Sequence, residues 1–89
     1  MESIWKYPLD IQDNISIMVP EGAKSLCIKT QNNIPCLWMI VNTSSAKLEE
    51  LKLKIYGTGH NHDFILGEYI DTFLINNDSL VFHVFEVQS

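Results

Sequence analysis

The feature of this 89-residue sequence that most limits its fold is a period of two. In "LKLKIY", Leu51, Leu53 and Ile55 alternate with Lys52, Lys54 and Tyr56. In an extended chain this puts the first three on one face and the second three on the other. Ile15, Ile17 and Val19 repeat the pattern in "ISIMV", Leu26 and Ile28 alternate with Cys27 and Lys29 in "KSLCIKT", and Trp5 and Tyr7 share one face of a first strand. Two segments break the alternation. "CLWMIV", Cys36 to Val41, is apolar on both faces. In "SLVFHVFEV", Leu80, Phe82 and Val84 face one way, and Val81, His83, Phe85 and Val87 the other. An antiparallel sheet with one wet face does not carry such strands. Either both lie between two layers of the domain, or one face meets another subunit. A chain this short has little material for a third layer, which favours the subunit contact. Burial of one Phe or Leu side chain is worth roughly 1.5–3 kcal/mol. Several of them left in water cost solubility, so the contact is expected to be permanent.

Turn signals punctuate the strands. Pro20-Glu21-Gly22 ends the second, Asn32-Asn33 reads as a hairpin between the third and fourth, and Asn76-Asn77-Asp78 joins the last two. The one place for a helical turn is Thr43 to Glu50, where Ser44 or Ser45 can cap. Neither has Glu or Gln three residues on, so there is no full capping box. The reading is an all-β chain, a single domain over 1–89: a small antiparallel sandwich or barrel of about seven strands, with at most one short helical turn. A domain of this size buries only roughly 60–65% of its unfolded surface, so association between copies is expected.

The net charge is −5, and the six positive side chains are all lysines. That balance speaks against DNA or RNA as a partner, which needs a basic face. Without arginine there is no planar bidentate grip on phosphate, although backbone N–H groups and a few lysines can still hold a small anion. No run approaches the ~18 apolar residues of a membrane span, and "MESIWKYPLD" lacks the basic and apolar regions of a signal peptide. A cytosolic location is the expectation, with Cys27 and Cys36 as thiols packed like small hydrophobes.

"KIYGTGHNHDF", Lys54 to Phe64, is the most unusual stretch. His60 and His62 stand two apart and, with Asp63 or Glu68, offer three ligands for zinc, though structural zinc sites usually recruit cysteine. His60 is a possible base, but no serine or cysteine motif accompanies it, and the carboxylates form no recognisable pair. Gly57-Thr58-Gly59 lets the backbone approach a ligand closely and can form a nest of N–H groups for an anion, with Thr58 adding a hydroxyl and His60 a donor. The plain alternative is a hairpin loop whose glycines satisfy backbone angles. Stacking of aromatic rings on planar bases, worth ~1–3 kcal/mol per base, would complement such a nest.

The motifs "SIWKYPLDI", "VPEGAKSLCIKTQNN", "CLWMIV", "IYGTGH" and "YIDTF…LVFHVFE" follow one another along almost the whole chain. In this the sequence resembles a family of small phage proteins with an IWKYPL-like start, a GTGH loop and an LVFHVFE-like closing strand. That family is similar to phage anti-CBASS sponge proteins, which sequester cyclic dinucleotides such as cGAMP without cleaving them. Asp71 departs from the family's "YIGTF", where glycine is expected. The resemblance implies a non-enzymatic homo-oligomer, expected to be a tetramer, in the host bacterial cytoplasm and without a cofactor. Its ligand would carry two purine bases and two phosphates. Gly57, Thr58, Gly59 and His60 would face phosphate or ribose, Trp5, Trp38 or Tyr69 would stack on bases, and Lys6 or Lys54 would offset phosphate charge. A two-fold ligand suits a pocket between identical subunits. The alternative is a protein-binding module whose acidic surface complements a basic site on a host protein.

Overall fold

The computed structural model describes residues 1–64 and 67–87. Seven strands form: β1 (Glu2–Pro8), β2 (Asn14–Pro20), β3 (Lys24–Gln31), β4 (Ile34–Asn42), β5 (Leu48–Gly57), β6 (Glu68–Ile75) and β7 (Leu80–Val87). They make two antiparallel sheets, β1-β4-β3 and β2-β5-β7-β6. The all-β antiparallel fold of about seven strands is the one observed, and of the two forms expected, sandwich or barrel, it is the two-sheet sandwich. Among the described residues there is no helix. The segment after β4 is a turn, in which the Asn42 side chain accepts from the Ser44 amide and the Asn42 carbonyl from the Ser45 amide. Asn42, rather than either serine, organises it.

The core lies between the sheets. Leu37, Met39 and Val41 of β4 face Leu51, Leu53 and Ile55 of β5, with Val84, Phe73, Val19 and Ile28 around them. These are the inward positions of the period-two pattern. Tyr7 packs against the edge of this core, and burial pushes its phenol above the ordinary value. Cys27 and Cys36 are free thiols, half-buried and buried. The hairpin turns fall where the asparagines predict. Asn32 and Asn33 have φ of 53° and 63°, and Asn76, Asn77 and Asp78 have φ of 56°, 56° and 64°. That left-handed region suits Asn and Asp among non-glycine residues.

Two details escape the simple alternation. Leu26 sits in a β-bulge of β3 and Ile70 in a β-bulge of β6, so Leu26 is exposed although Ile28 is buried. The two bulged strands are edge strands of opposite sheets, and they meet. There Asp71 has a definite task. Its Oδ2 accepts from the Ile28 amide at 2.8 Å and its Oδ1 from the Thr72 amide at 2.8 Å. The Asn33 side chain accepts from the Asn76 amide at 3.0 Å. One side of the sandwich is thus tied shut between sheets.

A hydrogen bond from an amide to a carboxylate is worth about 1.5–3 kcal/mol. Asp71→Ala therefore lowers stability by about 2 kcal/mol and the melting temperature by roughly 10 °C, while Asp71→Asn loses less. Thermal denaturation checks this. At the end of β7, Glu86 faces inward opposite Glu68. Burial, then Glu68 and Glu49, raise its carboxyl above the ordinary value. A carboxyl with a raised folded-state pKa binds its proton more tightly when folded, so its ionisation costs stability as pH rises through that pKa. Glu86→Gln is expected to raise the melting temperature at pH 7. The gain should vanish below the pH at which an ordinary carboxylate protonates.

Candidate functional site

The connection from β5 to β6 is not a hairpin. β7 stands between these two strands, paired to both. The chain leaving Gly57 must therefore pass β7 before it can start β6. Residues 58–64 make this passage folded against the outer face of the four-stranded sheet. Here Tyr56, which points away from the core, is nevertheless only 5% exposed. Its ring meets His62 at 4.9 Å, Phe64 at 4.7 Å and Phe85 at 5.8 Å between centroids. Tyr69 continues the row, 5.5 Å from Phe85. The four rings Phe64, Tyr56, Phe85 and Tyr69 thus cross the sheet. The end members Phe64 and Tyr69 are 59% and 53% exposed.

Two glycines shape the loop. Gly59 has φ of +82°, which a side chain would strain. At Gly57 a Cβ would come within 2.9 Å of the His60 ring. Glycine there lets the imidazole lie back over the strand end. Together the loop and the sheet enclose a recess of ≈ 260 Å³, with Tyr56, His83 and Phe85 as floor, Gly57 to His60 as wall and Phe64 at the rim. Farther along the same face a shallow hollow of ≈ 340 Å³ lies between Asn14, Ser16, Lys52, Lys54 and Val87. Lys54 stands directly opposite Phe85 in the β5–β7 ladder, so the two depressions are neighbours.

Under the loop runs a chain of side-chain hydrogen bonds. Tyr69 Oη is 2.6 Å from Thr72 Oγ1, which is 2.9 Å from His83 Nδ1. His83 Nε2 is 2.6 Å from Thr58 Oγ1, which is 3.2 Å from the Val81 carbonyl. The carbonyl can only accept, so Thr58 donates its hydroxyl proton to Val81 and accepts from His83 Nε2–H. With a neutral imidazole, Thr72 then donates to Nδ1 and accepts from the Tyr69 hydroxyl. The Thr58 amide also donates to the Val81 carbonyl at 3.1 Å. Both Thr58 donors thus clamp the loop to β7, which takes them out of the anion nest expected of "GTGH".

The residues expected from the sequence divide between the two sheets. Gly57, Thr58, Gly59, His60 and Tyr69 come together at this face with Lys54. Trp5, Lys6 and Trp38 belong to the three-stranded sheet. Lys6 and Trp38 are cross-strand partners on its outer face, where the Lys6 ammonium donates to Gln31 Oε1 at 2.6 Å. Trp5 overhangs the sheet edge, 43% exposed. Within one copy these three do not reach the recess. Tyr56, Phe64, Thr72, His83 and Phe85 were missed. The alternation places His83 and Phe85 outward, but only the register sets them opposite Tyr56 and Lys54. His62 packs its ring edge into the aromatic row, and among the described residues no three His, Cys, Asp or Glu side chains converge on a metal position.

The relay makes a spectroscopic prediction. At neutral pH, long-range nitrogen–proton correlation spectra should show His83 as the Nε2–H tautomer. Thr58→Val should remove that preference and cost roughly 1 kcal/mol of stability.

Comparison with known proteins gives a family match. A family model described as a domain of unknown function, DUF7352, aligns with residues 1–89. No curated protein and no solved structure matches the chain. The chain, matched from end to end, belongs to the DUF7352 family.

Proposed function

We propose that the protein binds a cyclic dinucleotide of the cGAMP type at the outer face of the four-stranded sheet and holds it without cleaving it. In this reading it is a phage immune-evasion protein that works as a homo-oligomer in the bacterial cytoplasm and withholds a CBASS signal from its effector. The observation that carries the reading is the row Phe64–Tyr56–Phe85–Tyr69 beside the glycine loop, with lysines alongside. The exposed rings at its ends offer base-stacking surfaces. Lys54, with Lys52 one outward position further on, offers positive charge next to the row. A recess of ≈ 260 Å³ takes one base rather than a whole dinucleotide, which suits a two-fold ligand shared between two copies. The motif resemblance supplies the ligand class. The loop hydroxyl supports holding over cleavage, since Thr58 donates its proton to the Val81 carbonyl.

Isothermal titration calorimetry with a panel of cyclic dinucleotides including 3′,3′-cGAMP tests this, followed by heat release and mass spectrometry of the ligand. Binding with intact recovery is expected. Phe64→Ala, Tyr69→Ala and His60→Ala should each weaken it about tenfold, in line with the worth of one stacked base. No heat across the panel contradicts the reading, and recovery of cleaved ligand makes the protein an enzyme. A stoichiometric host protein captured from lysate, with no nucleotide binding, favours the protein-binding alternative.

A further inference from the structure

We propose that the free edge of β1 is a self-complementary interface, on which a second copy of the chain adds its own β1 antiparallel in a fixed register. Of the four sheet edges, those of β3 and β6 carry bulges and are tied to each other by Asp71. Such features keep an edge from pairing with another chain. β1 has none of this protection. It is regular over Glu2–Pro8, and its backbone pairs with β4 alone among the described residues, while the Lys6 side chain reaches over to Gln31 of β3.

The hydrogen-bonding parity of β1 is fixed by its ends. The Met1 carbonyl accepts from Thr43, and the Leu9 amide donates to Pro35. The odd-numbered residues thus bond to β4, and Glu2, Ile4 and Lys6 present their N–H and C=O groups outward. Pro8, which has no N–H, takes the next outward position, where proline is tolerated.

One antiparallel register satisfies all of these features. Centred on Ile4 opposite Ile4 of the second copy, it sets Glu2 opposite Lys6 and Lys6 opposite Glu2. Opposite charges directly across a ladder stabilise it, and like charges destabilise it. Trp5 then lies across from Ser3 and diagonal to the other Trp5, and Pro8 falls just beyond the ladder. Ile4 and Trp5, 60% and 43% exposed on opposite faces of the strand, both gain cover. Moving the two-fold to Trp5 would put Pro8 inside the ladder and set Lys6 against Ile4. β2, the remaining edge, directs Asn14, Ser16, Met18 and Pro20 outward by the same parity and offers no charge pairs. The product is a continuous six-stranded sheet through two copies. It requires no ligand and does not rest on the nucleotide reading.

Sedimentation velocity on the ligand-free full-length protein, with circular dichroism to confirm folding, tests the register. The wild type should be dimeric or larger. Glu2→Lys and Lys6→Glu should each weaken the dimer roughly tenfold, because each sets like charges opposite one another at two sites. The double swap Glu2→Lys/Lys6→Glu should restore wild-type affinity. A monomeric wild type at its highest soluble concentration overturns the proposal, as does an oligomer that neither single change weakens. A double swap no tighter than the single changes overturns the register.

Discussion

The feature on which the site depends is topological: β7 lies between β5 and β6. A chain that must step past a strand cannot close with a tight turn, so the segment after Gly57 has to cross the sheet. It crosses on the outer side, and β7 is apolar enough there to receive it. Val84 serves the core while Phe85 and His83, on the opposite face, serve the loop. The two-sided character of β7 is thus answered largely within the subunit. Tyr56 is buried by the residues that follow it in sequence, and His83 is locked between two threonines that belong to the passage and to β6. The same geometry that disposes of an apolar outer face builds a recess floored by rings and one imidazole.

The three-stranded sheet has no such cover. The outer side of β4, with Trp38 and Ile40, is half-buried and, among the described residues, faced by no other layer. Yet β4 is a central strand, its ladder satisfied on both sides by β1 and β3. What this sheet leaves open is the edge of β1. The contrast between edges follows a physical rule: bulges and tethers protect β3 and β6, and β1 keeps a straight ladder whose Glu2 and Lys6 are spaced to meet each other across a two-fold. A sandwich of this size is marginal alone, and pairing of edges is an economical route to further burial.

Much of this was legible in the sequence. The alternation in "LKLKIY" and "ISIMV" set the inward residues correctly, because side-chain direction in a strand is a local property. The Asn-rich turns were legible for the same reason. What could not be read was long-range. Nothing in "YGTGHNHDF" tells that β6 lies two strands away from β5, so the loop read equally well as a hairpin. The bulges at Leu26 and Ile70 leave no mark on composition. Asp71 stands out only against the resemblance, and its bond to Ile28 joins strands 43 residues apart. The site suffered in the same way. The expected residues local to the loop share one face, whereas Trp5, Lys6 and Trp38, grouped with them by residue type, lie on the other sheet. His83 and Thr72 acquire their roles only through register.

Under the proposed function, ligand chemistry falls on one face of one sheet. Backbone amide chemical shifts followed by NMR during titration with 3′,3′-cGAMP test that most directly. Perturbations confined to residues 54–64, 69–72 and 83–85 are expected, with the outer face of β4 silent in any ligand-independent dimer. Perturbations centred on Trp38 and Ile40, or none at a saturating concentration, would contradict it.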